Sequence, residues 1–123
     1  MTKTLIITDY SIKNQAFNGH KPKSSDPIIK SIINKIRSGN MERLMIGGKE
    51  LYKLYVLGTK YRAIIRVEQN VIYVLILVRH KNAGNATKNI SKYDNESAAV
   101  IDKCFTKVLN DFIKEKYIKI EFE

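Results

Sequence analysis

The sequence holds a single cysteine, Cys104, and only two histidines, His20 and His80. One thiol cannot close an internal disulfide, which fits a reducing cytoplasm. It also excludes a zinc site built from cysteines, and two histidines leave too few ligands for another structural zinc site. No apolar run reaches the roughly 18–20 residues that span a bilayer, so no membrane partner is expected. The opening MTKTLIITDY is broken by Asp9 too early to read as a signal peptide. Acidic residues are scarce as well, with 12 Asp and Glu against 22 Lys and Arg, a formal charge of +10.

What is present points to one compact domain of 123 residues, 44% of them hydrophobic, enough to bury a core. The charge is uneven. Residues 1–82 carry 15 basic and 5 acidic side chains, whereas residues 83–123 carry 7 of each, so the whole excess lies in the first two-thirds. A field of one sign on part of a small domain attracts polyanions: nucleic acid, an acidic protein or an anionic membrane. The plainer alternative is a solvated basic surface.

A first strand is expected over Thr4–Thr8. The polar stretch 14–25, with Lys13, His20, Lys21 and Lys23 around Gly19 and Pro22, reads as a mobile basic loop. A helix follows: Asp26 can cap, Pro27 suits the first turn, Ile28, Ile29, Ile32, Ile33 and Ile36 recur at helical spacing, and Gly39 supplies the stop. Residues 50–80 read as three strands, 51–57, 61–68 and 71–78, joined at Gly58-Thr59 and Gln69-Asn70. After a polar break over 82–95, a second helix is expected over 96–116. Its apolar face is Val100, Ile101, Cys104, Phe105, Val108, Leu109 and Phe112. The tail 118–123 alternates like a strand with one wet face. The expected fold is α+β: a small antiparallel sheet, an N-terminal helix packed on one face, and a C-terminal helix-plus-strand extension.

Two-residue turns in both hairpins would pair Tyr55 with Arg62, Lys53 with Ile64, Arg66 with Tyr73, Arg62 with Leu77 and Lys60 with Arg79. One face then collects Lys53, Tyr55, Lys60, Arg62, Arg66, Tyr73 and Arg79, with Glu68 at one end. The other, almost wholly apolar, runs through Tyr52, Leu54, Val56, Tyr61, Ala63, Ile65, Val67, Ile72, Val74, Ile76 and Val78 and is the expected core. A bulge in either strand would flip part of this partition. Arg and Lys donate charge-assisted hydrogen bonds to phosphate, and exposed tyrosines stack on unpaired bases, so the basic face is a candidate RNA surface. The competing expectation is that Tyr55 and Tyr73 pack beneath the second helix, with the cations at its rim.

The same face has the groups for metal-independent RNA cleavage, in which the ribose 2′-hydroxyl attacks the adjacent phosphate. Lys53, crowded by Arg62 and Arg66, is expected to have a lowered pKa suited to a base. Arg62, Arg66 and Arg79 would stabilise the phosphorane-like charge. His80 is a candidate acid or base if the strand ends or twists beside it. Cys104 reads as core.

The runs Leu51-Tyr52-Lys53-Leu54-Tyr55-Val56 and Lys60-Tyr61-Arg62-Ala63-Ile64-Ile65, then Ile72–Val78 with Arg79-His80-Lys81, resemble the RelE/ParE toxin superfamily over residues 4–82. The preceding helix Pro27–Ser38 matches in order. The resemblance implies a toxin of a bacterial toxin–antitoxin pair that cuts messenger RNA, in many members on the ribosome, without metal or cofactor. An acidic antitoxin would wrap the toxin and cover its basic face. Carried over by position, Lys53 and Arg62 match the basic strand residues, and Arg79, His80 and Lys81 the C-terminal catalytic group. The chain departs from the family pattern in its short N-terminal helical region, in the absence of a tyrosine close after His80, and in residues 83–123, which the family core lacks. Two other readings stay open: a non-enzymatic inhibitor of the ParE type, and an immunity or binding protein that holds an acidic partner or RNA on the basic face.

Overall fold

The computed structural model describes residues 2–8, 11, 22–46, 48–58, 60–79 and 95–123, with the backbone alone for 78–79 and 95–100. The elements run β1 (Lys3–Thr8), α1 (Pro27–Ser38), β2 (Glu42–Ile46), β3 (Lys49–Val56), β4 (Tyr61–Glu68), β5 (Val71–Arg79), α2 (Asn95–Ile113) and β6 (Tyr117–Phe122). The strands form one six-stranded sheet in the order β2-β3-β4-β5-β1-β6. The α+β class is as expected, but the sheet is mixed, not antiparallel. β1 pairs with β5 in parallel, Leu5 opposite Ile72 and Ile7 opposite Val74. This follows from α1, which carries the chain from β1 to the far edge, so that the β2–β5 meander returns beside β1 in the same direction.

Helix α1 forms where the isoleucine spacing places it. Ile28, Ile29, Ile32, Ile33 and Ile36 are all buried, each contributing about 1.5–3 kcal/mol by leaving water. Gly39 ends the helix in the left-handed region (φ 69°). Its N–H reaches the Ile36 carbonyl and that of Asn40 reaches Lys35, which satisfies two terminal carbonyls. Asp26 departs from the expected side-chain cap: its Oδ2 accepts from the Lys23 N–H at 2.7 Å.

The α1 isoleucines pack on Leu5, Ile7, Leu54, Val56, Tyr61, Ala63, Ile65, Ile72, Val74 and Leu77, with Ile120 and Phe122 from β6. The opposite face is also a core. There Ile101, Cys104 and Val108 of α2 bury Leu44, Ile46, Leu51, Ile64, Leu75 and Ile76, with Tyr73 and Phe105 partly buried alongside. The C-terminal segment is therefore no appendage. β6 pairs with β1 along its whole length, and α2 closes the second face. Strand β5, VIYVLILVR, is nearly continuous in apolar residues, as a strand covered on both sides must be.

The first hairpin has the expected register, Tyr55 opposite Arg62 and Lys53 opposite Ile64. The second begins as expected, Arg66 opposite Tyr73 and Ile65 opposite Val74, and then slips. Ile64 pairs with Ile76, which leaves Leu75 as the extra residue of a bulge. Past it the partition reverses. Ile76 joins the α2 cluster and Leu77 the α1 cluster. Arg62 faces Val78 rather than Leu77, and Arg79 pairs with Tyr61 rather than with Lys60. Among the described residues no helix is long and apolar enough to cross a membrane.

Candidate nucleic-acid interface

Helix α2 divides the expected basic face. Tyr73 lies beneath it, edge-on to Phe112 with ring centroids 6.2 Å apart, and Phe112 in turn stacks on Tyr117 at 4.6 Å. Burial pushes the Tyr73 hydroxyl above the ordinary tyrosine pKa range, with the Glu68 carboxylate adding to it. Arg66 is drawn to the same helix. Its guanidinium lies 5.4 Å from the Phe105 ring centroid, and its Nε donates to Glu68 at 2.8 Å. Arg66 Nη1 is buried without a hydrogen-bond partner among the described residues. The packing role weighed for the tyrosines thus applies to Tyr73, with Arg66 at the rim of α2.

At the other end of this face, where β3 finishes and β4 begins, Lys53, Tyr55 and Arg62 come together. Alternation along β3 and the pairing of Tyr55 with Arg62 put all three on one side. Tyr55 is 37% exposed. The Lys53 ammonium lies 5.7 Å from its ring centroid and the Arg62 guanidinium 5.4 Å, both at cation–π distance. Lys60 is exposed in the turn just beyond. Arg79, the last residue of β5, pairs with Tyr61 of the α1-side cluster, so the register does not set it opposite Lys60 on the Tyr55 face as expected. His80 and Lys81 lie outside the described residues, as do Lys13, His20 and Lys21 of the basic loop.

Besides Arg62 across the Tyr55 ring, Lys53 meets a carboxylate. Glu42, directly opposite on β2, places Oε2 2.9 Å from Lys53 Nζ. Glu42 escaped the sequence reading because β2 did. The signal was present in Leu44-Met45-Ile46 followed by Gly47-Gly48 and Leu51, a short apolar run before a glycine turn.

Among the described residues no group of three or more His, Cys, Asp or Glu is placed to hold a metal ion. On the opposite face, a shallow groove of about 550 Å³ runs beside α1, lined by Lys30, Asn34, Lys35 and Leu57 among others. It is separate from the tyrosine cluster. Comparison with known proteins adds no relative: no family model matches the chain, and neither a curated protein nor a solved structure does.

Proposed function

We propose that the protein binds single-stranded RNA at the open end of this sheet face and acts there as a metal-independent endoribonuclease. In this reading it is a cytoplasmic toxin of the RelE/ParE type that stops translation by cutting messenger RNA and is restrained by an acidic antitoxin. The observation that carries the RNA-binding part is the exposed Tyr55 ring flanked by Lys53 and Arg62. A partly exposed tyrosine ring can stack with an unpaired base, and two cations beside it suit the flanking phosphates. Cleavage rests on the family resemblance and on the sequence run Arg79-His80-Lys81.

In the reaction, the ribose 2′-oxygen attacks phosphorus and the 5′-oxygen leaves, giving a 2′,3′-cyclic phosphate and a 5′-hydroxyl. Arg62 stabilises the charge that develops on the phosphate oxygens. Lys53, facing a carboxylate, serves as a phosphate ligand in this scheme, and His80 is the proton-transfer group. A second reading, binding without cleavage, is favoured by two observations: the pairing of Lys53 with Glu42 and the placement of Arg66 and Tyr73 against α2.

The two are separated by incubating purified protein with end-labelled messenger RNA, in EDTA for free RNA and in magnesium buffer for RNA on ribosomes. The proposal predicts new ends bearing cyclic phosphate that Arg62→Ala abolishes. Retained RNA binding with no new ends under either condition contradicts the nuclease and leaves the binding protein.

A further inference from the structure

Glu42 and Lys53 form an ion pair beside Tyr55. The β2–β3 ladder sets the two residues directly opposite each other, so the carboxylate is held at the ammonium by backbone pairing. The contact is 2.9 Å, with 59% of the Glu42 side chain and 23% of the Lys53 side chain exposed. That same ammonium stands 5.7 Å from the Tyr55 ring centroid. Carboxylate and phosphate are both acceptor-only anions, and a lysine ammonium on its flexible stem can turn from one to the other. Building on the RNA-binding reading above, we propose that Glu42 is an internal competitor for phosphate, holding Lys53 in the free protein and releasing it when RNA binds.

The consequence is a ceiling on affinity. RNA must displace a tethered anion before Lys53 contributes, and Glu42 must regain a counterion or water when it lets go. Exposed ion pairs are weak, so the contact opens readily and its removal shifts affinity only about two- to fivefold. The pair Arg43–Glu50, 3.3 Å apart, involves the neighbouring strand positions but lies on the side of Tyr52, facing away from Tyr55. It is a matched control: an exposed glutamate on the same pair of strands and not at the proposed site.

The test is a fluorescence-anisotropy titration of a labelled octauridylate across a salt series, on the full chain and its variants. Glu42→Gln is expected to bind about two- to fivefold tighter at low salt. Its plot of log affinity against log salt should steepen by about 0.7, the increment for one more phosphate neutralised on a single strand. In a Lys53→Met background Glu42→Gln should leave the slope unchanged, and Glu50→Gln should alter neither quantity. A tighter Glu42→Gln complex with an unchanged slope would reduce Glu42 to a repelling charge and overturn the competition. So would a Glu42→Gln protein indistinguishable from wild type while Lys53→Met and Arg62→Ala weaken binding, an outcome that leaves the RNA face standing. Wild type that fails to bind, or binds no better than Lys53→Met and Arg62→Ala, removes the RNA-binding reading and the competition with it.

Discussion

At the scale of the residue, side chains that hold the fold differ from those that reach the surface beside them. Tyr55 and Tyr73 lie on one face, yet one is 37% exposed and the other is packed against α2. Tyr55→Ala should weaken single-stranded RNA binding by about tenfold, within the range for loss of one stacked base. It should leave stability within about 0.5 kcal/mol, because the position is exposed; parallel anisotropy and urea titrations check both. Tyr73 gives a pH prediction. Burial holds its folded-state pKa above the ordinary value of 10.0. The stabilisation is therefore fully present below pH 10 and is lost as pH rises through the higher folded-state value. Denaturation midpoints between pH 9 and 11.5 should fall for wild type and fall less for Tyr73→Phe, if that variant is folded to the same degree at pH 8.

At the scale of the element, backbone conformation decides more than composition does. Gly39 closes α1 at a positive φ, and a Cβ there would meet nothing within 4 Å. Any cost of Gly39→Ala is thus conformational, about 1 kcal/mol, and should appear as a lower urea midpoint at unchanged m-value. Helix α1 was legible to the residue, because five isoleucines at helical spacing between Asp26-Pro27 and Gly39 admit little else. Strand β5 was legible in extent but not in register. The bulge at Leu75 falls within Val74-Leu75-Ile76-Leu77, where all four side chains are apolar and either face accepts any of them. Polar alternation, the signal that fixes a register, is absent there. The partition of β3 and β4, which do alternate, came out correctly for Lys53, Tyr55 and Arg62.

At the scale of the whole molecule, two buried sheet faces replace the expected core and open face. The sequence shows an apolar stripe on α2 but not what that stripe covers, and here it takes Arg66 and Tyr73 from the basic surface. Ile101 is fully buried among Ile64, Leu75 and Ile76. Ile101→Ala should therefore cost about 2–5 kcal/mol, comparable with Ile29→Ala on the other face. A loss below about 0.5 kcal/mol in chemical denaturation, the scale of surface substitutions, would mean that α2 does not hold the sheet. The candidate site was legible as a set of residue types and only partly as a place. Lys53, Tyr55 and Arg62 assemble, Arg66 and Tyr73 are taken by packing, and Glu42 enters from β2, whose only signal is the short apolar run before Gly47-Gly48.

The central claim is that the Lys53–Tyr55–Arg62 end of the sheet acts on messenger RNA. Its most direct test is to induce wild type and Lys53→Ala/Arg62→Ala in bacteria and map messenger RNA ends alongside growth. The account predicts arrest with new RNA ends for wild type, and neither for the soluble, folded double variant. Arrest without new ends, or new ends that persist in the variant, would contradict it.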